Sequence, residues 1–351
     1  MSKQRIVYCN HFQHDLDMEL GDRLPSSIFV LTDDVTQELC LPLLHKNKRL
    51  KKAHTIVIPH GDEHKTIETL VGVWKYLSEN GATRKSLVIN LGGGMITDLG
   101  GFAASTFKRG IRYINIPTTL LSAVDAAVGG KTGINFLGFK NEIGVFNPAD
   151  VVLIETAFLH SLDYKNLLSG FAEILKHALI SSRDEWEKIC RIDLLDIQIE
   201  TLKSILQRSI AIKEFFVEKD PLEADIRKAL NLGHTIGHAF ESYSHEKKQP
   251  VLHGYAVAWG IVCELYLSHK KLGFPKELLL QALAIIKEAY GGFSINCKDY
   301  PRLYELMTHD KKNEFDEINL TLLRDIGEIR INQITSQEEI FETLDFYQER
   351  F

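Results

Sequence analysis

The sequence predicts an α/β protein in two parts: an open parallel sheet flanked by helices over residues 1–157, then an all-helical domain over residues 158–351. Three observations carry this. Short β-branched runs alternate with amphipathic stretches in the first part. Helical periodicity takes over after about Phe158. The length, 351 residues, exceeds what one hydrophobic core usually serves.

Strands are expected at Ile28–Leu31, Thr55–Ile58, Leu87–Leu91, Arg112–Ile116 and Val151–Ile154. Each is short and apolar on both faces, as buried parallel strands are. Between them, Ile67 to Glu79 places Leu70, Val73, Trp74 and Leu77 at helical spacing. The second part reads as helices over Tyr164–Ile180, Leu195–Glu218, Ala224–Ser244, His253–Lys271 and Pro275–Tyr290, punctuated by Pro221, Pro250 and Pro275. Two β-like runs, Ile318–Leu322 and Glu328–Ile331, precede a final helix from Glu338.

Apolar residues make up 44% and charged residues 25%, with a formal net charge of -6. That balance argues against a duplex nucleic-acid binder and leaves room for a local basic pocket. Cys9, Cys40, Cys190, Cys263 and Cys297 are scattered and odd in number, which argues against a disulfide scaffold or a thiolate metal site. With no signal-peptide core at the start and no apolar run of spanning length, a cytoplasmic, non-membrane protein is expected.

Strand Leu87–Leu91 runs into Gly92-Gly93-Gly94 and then Met95-Ile96-Thr97-Asp98 before a helical stretch. Glycines between a strand and a helix let backbone amides approach a phosphate; a tight turn chosen for sterics is the competing reading. The spacing is not the dinucleotide fingerprint. Asp33, at a strand end, reads either as a ribose acceptor or as an exposed turn aspartate. Pro117-Thr118-Thr119 offers hydroxyls to the same ligand or simply caps a turn.

His234 and His238 lie four residues apart, on one face of a helix. His253 follows on a second segment, and Glu173 sits upstream in Ser169-Gly-Phe-Ala-Glu-Ile-Leu-Lys176-His177. Two imidazoles and a carboxylate are a usual ligand set for a catalytic zinc with an open position. Spacing alone leaves open which of His234 and His238 is the ligand; the other stands ready to move protons. Glu173 and Lys176, one turn apart, have apolar or small neighbours, so a buried pair is expected in place of a solvated one. Arg227 and Asn231 continue the same helical face as His234 and His238 and would form one polar wall.

A second group comprises Lys108-Arg109-Gly110, Asp125, Gly129-Gly130-Lys131-Thr132-Gly133, Lys140-Asn141 and Asp310-Lys311-Lys312. Gly130-Lys131-Thr132 is like the tail of a P-loop, but the leading glycine is missing, so nucleotide hydrolysis is rejected. Apolar flanks lead us to expect a buried Lys131 that wants an anion.

Taken together, LGGGMITDLGGF, KRGI, IPTTLLSAVDAAVGGKTGIN, KNEIG, SGFAEILKH, RKALNLGHTIGHAFE, LHG and HDKK resemble the 3-dehydroquinate synthase family of sugar-phosphate cyclases, from about Gly61 to Ile326. The resemblance implies a Rossmann-like NAD-binding domain, a helical metal- and substrate-binding domain, and a site in the cleft between them. It implies NAD and a divalent metal, usually zinc and sometimes cobalt, with Glu173, His234 and His253 as ligands and His238 beside them. Substrate contacts carry over to Arg109, Asp125, Lys131, Asn141, Lys176, Lys213, Arg227, Asn231 and one lysine of the Lys311-Lys312 pair, Lys311 being the one taken. Nucleotide contacts carry over to Asp33, Asp62, Lys65, Gly93, Gly94, Asp98, Thr118, Thr119, Lys131, Lys140, Phe158 and Ser161. The implied reaction takes 3-deoxy-D-arabino-heptulosonate 7-phosphate to 3-dehydroquinate and phosphate, in a homodimer. Related cyclases acting on substrates without a carboxylate, and metal-dependent polyol dehydrogenases, are the rivals. The sequence departs from the family's usual residues at Asp62, Thr97 and Tyr255, and carries a slightly longer loop after Ser242.

Overall fold

The computed structural model describes residues 4–21, 25–137, 139–308 and 318–351. The chain forms two compact units, Met1–Asp163 with Ile199–Ile210, and Tyr164–Gln198 with Ala211–Phe351.

In the first unit, strands β1 (Arg5–Tyr8), β2 (Ile28–Asp33), β3 (His54–Ile58), β4 (Leu87–Gly92), β5 (Arg112–Pro117) and β8 (Val151–Ile154) form one sheet. Its order is β1-β8-β5-β4-β2-β3, and every pairing is parallel. Helices α1 (Phe12–Leu20), α2 (Asp34–Leu39), α3 (Leu41–Leu44), α4 (Ile67–Glu79) and α5 (Gly94–Thr106) cover it. The sheet separates two apolar cores. Leu87, Ile89 and Leu91 of β4 pack on one side with Leu16 and Leu44, while Val88 packs on the other with Leu70, Val73 and Leu99. Strands buried on both faces have no polar side to show, which is why they read as unbroken apolar runs. Helix α4 spans the predicted residues and is capped by Thr66, whose side chain accepts from the Thr69 N–H.

Among the features of this unit that escape the sequence reading, two concern strands. Strand β1 is one. The other is an antiparallel hairpin, β6 (Lys131–Phe136) with β7 (Phe139–Phe146). Lys131 opens β6 and is exposed, contrary to the expected burial. A two-stranded hairpin leaves one face outside, and Lys131 is on it while Thr132 points inward.

The second unit is built from α6 (Tyr164–Ser181), α7 (Arg183–Cys190), α9 (His234–Glu246), α10 (His253–Leu272), α11 (Lys276–Tyr290), α12 (Tyr300–Thr308) and α13 (Gln337–Arg350). The preceding helix α8 (Ile199–Lys219) is shared, its first twelve residues, Ile199–Ile210, clustering with the first unit. The only departure from helix among its described strands and helices is an antiparallel hairpin, β9 (Ile318–Asp325) with β10 (Glu328–Thr335), at the two β-like runs noted above. Among the described residues no helix is long and apolar enough to cross a membrane.

Candidate active site

Helix α6 is buried on every side from Leu167 to Ile180. Glu173 is 0% exposed and Lys176 1%. Charged groups that deep need partners. Lys176 Nζ donates to Glu173 Oε2. The other oxygen, Oε1, accepts no hydrogen bond among the described residues. Two imidazoles face it instead: His234 Nε2 at 3.5 Å and His253 Nε2 at 3.8 Å. Two atoms each about 2.1 Å from a tetrahedral ion lie about 3.4 Å apart, so both spacings suit a shared dication.

The far side of each ring supports that reading. His234 Nδ1 lies 3.2 Å from the Leu232 carbonyl oxygen. His253 Nδ1 lies 3.1 Å from Glu241 Oε2. A carbonyl and a carboxylate are natural acceptors for an Nδ1–H, the tautomer that leaves the lone pair of Nε2 for a metal. His238 belongs to the same cluster. One ligand atom from each of His234, His238 and His253 lies within 4.8 Å of the others, with ring centroids 5.3 to 5.6 Å apart. The donor set therefore fits a divalent metal, with His238 alongside.

Close helix packing produces this convergence. A Cβ at Gly254, the residue after His253, would stand 1.9 Å from the Ser169 carbonyl oxygen, one turn before Glu173. The Gly254 N–H donates to Ser169 Oγ at 3.1 Å. Only glycine lets the start of α10 press on α6 so closely. Gly233 stands at φ 80°, in the left-handed region glycine favours, and caps α9 immediately before His234. Its N–H donates to the buried Glu264 at 2.6 Å.

That glycine also breaks the helix predicted over Ala224–Ser244. Arg227 and Asn231 lie on a separate 3-10 turn, Ile226–Asn231, and do not continue the face of His234 and His238. Arg227 is buried, and its Nη1 donates to the Pro221 carbonyl at 2.7 Å. Asn231 Nδ2 donates to Glu223 Oε1 at 3.1 Å. Glu223, at φ 60°, was not anticipated from sequence; a glutamate in the left-handed region is the structural signal that marks it. Asp220 ties the turn down. Burial alone would raise its carboxyl, but N–H donors from Asp225, Ala224 and Arg227, and the Arg227 charge, hold it below the ordinary value. Lys213 is buried on the second part of α8.

In the first unit, β4 ends at Gly92, and Gly93 caps α5, which starts at Gly94. The first-turn N–H groups of that helix have no intrahelical acceptor and so form a place for an anion. The Thr118 N–H donates to the Gly92 carbonyl at 3.0 Å, extending the β4–β5 pairing past Pro117. Thr119 Oγ1 accepts from the Ser122 N–H at 3.1 Å, a local cap. Asp33 is buried, not an exposed turn residue. Its Oδ1 accepts from the Thr36 N–H at 2.7 Å and from Thr36 Oγ1 at 2.8 Å in a capping box at α2.

Lys65 joins the loop groups. Its Nζ donates to Asp98 Oδ2 and Asn141 Oδ1, each at 2.5 Å. Burial pushes the Asp98 carboxyl above its ordinary value, against the pull of Lys65. Asp62 Oδ2 receives Asn135 Nδ2 at 3.1 Å and Lys140 Nζ at 3.3 Å. Asp62, Lys65, Asp98, Lys140 and Asn141 thus form one polar network. Asp125 is half-buried on the single π-helical turn Ser122–Ala126. Arg109 is not brought to the glycine loop: it is exposed beyond the far end of α5, about 20 Å along that helix. Phe158 packs in the core edge-on to Phe12, with centroids 5.4 Å apart, and Ser161 Oγ donates to the Phe158 carbonyl at 3.0 Å. Lys311 lies outside the described residues.

Two family models match the chain, "3-dehydroquinate synthase N-terminal" over residues 55–169 and "3-dehydroquinate synthase C-terminal" over residues 170–313. A 3-dehydroquinate synthase of Parabacteroides distasonis is 53% identical over 351 residues, covering 100% of this chain and 99% of that protein. Among solved structures, a 2-deoxy-scyllo-inosose synthase complexed with carbaglucose-6-phosphate, NAD+ and Co2+ superposes with a TM-score of 0.84 at 21% identity, covering 98% of this chain and 96% of the other. A 2-epi-5-epi-valiolone synthase from Streptomyces hygroscopicus subsp. jinggangensis, with NAD+ and Zn2+ bound, gives 0.84 at 24% identity, covering 100% and 98%. At those identities the two structures speak for the shared fold.

Proposed function

Because this chain belongs to the 3-dehydroquinate synthase family, we propose that it converts 3-deoxy-D-arabino-heptulosonate 7-phosphate to 3-dehydroquinate and phosphate. In reaction class it would be a carbon–oxygen lyase. The observation that carries the reading is the bare Oε1 of Glu173 with two Nε2 atoms turned toward it. When bound, the metal supplies a Lewis acid for a secondary alcohol and NAD supplies a hydride acceptor that later returns the hydride, leaving no net redox change.

Glu173, His234 and His253 would hold the metal, with Zn2+ our first choice and Co2+ the second. Gly93 and Gly94 would bring the start of α5 to the NAD pyrophosphate, and Asp33, Thr118, Thr119, Phe158 and Ser161 would line the rest of the nucleotide. Asp62, Lys65, Asp98 and Lys140 would continue that wall. Lys176 neutralises Glu173 Oε2 and, with Lys131, Lys213, Arg109, Arg227 and Lys311, would hold the substrate phosphate and carboxylate. Asp125, Asn141 and Asn231 would orient its hydroxyls, and His238 would move a proton beside the metal. Most of this work is positioning and charge stabilisation. We further take the enzyme to be a cytoplasmic homodimer.

The test is phosphate release from the heptulosonate phosphate, with NADH absorbance followed in parallel. We expect one phosphate per turnover with flat NADH, loss of turnover on chelation and recovery on adding Zn2+. NADH rising in step with turnover would mark a dehydrogenase. Faster turnover of a sugar phosphate lacking the carboxylate would mark another cyclase.

A further inference from the structure

We propose that Glu241 is a positioning residue of the metal centre, setting through His253 how tightly the chain holds its ion. The inference rests on the metal reading above. Glu241 lies on α9 seven residues after His234, on the same face of that helix. His253 opens the next helix, α10. One helix therefore supplies a ligand of its own and a brace for the ligand on its neighbour.

Glu241 is 3% exposed. A carboxylate that deep needs compensating positive charge. Its Oε2 lies 3.1 Å from His253 Nδ1. A dication on the other nitrogen would polarise the ring and make that Nδ1–H a stronger donor. The two imidazoles are not equivalent. Behind His234, Nδ1 lies 3.2 Å from a peptide carbonyl, whereas behind His253 it lies against a carboxylate oxygen. Hydrogen bonds to an ionised acceptor are roughly twice as strong as neutral ones. They also fix the ring orientation and raise the basicity of the coordinating nitrogen. Thus the aim and donor strength of His253 depend on the Glu241 side chain.

A merely structural Glu241 would tie α9 to α10 whether or not metal is bound, and the two roles separate by measurement. The full chain is stripped of metal and compared with Glu241→Gln and Glu241→Asp in three assays: Zn2+ affinity by competition with a chromophoric chelator, the visible spectrum after Co2+ loading, and urea unfolding without metal. Glu241→Gln should bind Zn2+ about 10- to 100-fold more weakly, with an altered Co2+ spectrum and an unchanged metal-free urea midpoint. Glu241→Asp, which keeps the charge one methylene short, should lose less affinity.

Zn2+ affinity of Glu241→Gln within about twofold of the unaltered chain, well short of the second-sphere range, overturns the inference and leaves the metal reading standing. So does a loss that follows an equal fall in metal-free stability. Should Glu241→Gln not fold, Glu241→Asp decides by the same two criteria. An unaltered chain that takes up neither Zn2+ nor Co2+ overturns the metal reading itself, and this inference with it.

Discussion

The groups we propose for the metal and those we propose for the nucleotide are built on opposite plans. Glu173, His234 and His253 stand on three helices pressed together at glycines, and polar partners hold each side chain from behind. Asp62, Lys65 and Lys140 stand on a short turn and a hairpin, tied to side chains of the same network, Asp98, Asn135 and Asn141 among them. The difference follows from the ligands. A metal site works only if its donors fall within about 0.2 Å of their proper distances, which a rigid buried frame can deliver. A dinucleotide is long and is held by many weaker contacts, several from backbone N–H groups, so loops suffice.

If that contrast is right, damage on the helical side should be the more severe. Removing the buried partner of Lys176 is the harshest test. Glu173→Ala should cost about 3–5 kcal/mol of stability, because it strands a buried ammonium, and should abolish Zn2+ uptake. Urea unfolding and equilibrium dialysis check both outcomes; a change below about 1 kcal/mol, the surface-pair range, would mean the Glu173–Lys176 pair is far wetter than it looks. Gly254→Ala comes next. Its new Cβ meets backbone 1.9 Å away, and overpacking of that kind costs about 1–3 kcal/mol, with weaker metal binding as α10 shifts. A variant as stable as the unaltered chain would show that α10 can move freely.

The matching change on the other side is Gly94→Ala. Its Cβ would lie 3.2 Å from the Ala126 Cβ, a tight contact that a shift of a few tenths of an ångström relieves, unlike the 1.9 Å backbone clash at Gly254. We expect a stability loss of less than about 1 kcal/mol and weaker NAD+ binding by calorimetry. A loss matching that of Gly254→Ala would erase the contrast. Smallest of all is the acid response of the turn bearing Arg227. The Asp220 carboxyl is held below its ordinary value in the folded chain. Its contribution is therefore complete above the unfolded pKa, about 4, and fades as pH falls through the lower native value. The unaltered chain and Asp220→Asn should converge in urea midpoint as pH drops below about 4; a gap that stays constant there would rule the carboxylate out.

The fold was legible where one residue's neighbours decide its state. Strands β2, β4 and β5 sit between two cores and so had to be largely apolar, whereas β3, at the sheet edge, buries Ile56 and Ile58 against one core and leaves Val57 exposed; α4 shows its buried stripe openly. The hairpin β6–β7 was not, because Lys131, Asn135 and two opposed glycines, Gly133 and Gly144, interrupt any alternation. Of the two glycines in the Ala224–Ser244 pattern, Gly233 ends the helix and Gly237 lies inside it; only the left-handed φ of Gly233 shows that it is a cap and not a passenger. Site legibility divides likewise. Spacing placed His234, His238, His253 and Glu173 on helices that could meet. It was silent on which oxygen of Glu173 faces inward, and on Glu223 and Glu241, whose positions depend on a backbone twist and on a neighbouring helix.

The crossing of α9 and α10 carries a consequence for anyone wishing to re-engineer this protein. A Cβ at Gly260 would sit 2.0 Å from the Gly233 carbonyl oxygen, so the two backbones already touch and leave no slack to tighten. Spreading them for a larger guest such as calcium, with its six to eight oxygens at about 2.3–2.6 Å, would tear open the same seam that aims the imidazoles. Changes of metal preference will have to come from exchanging the donors themselves on an otherwise fixed scaffold.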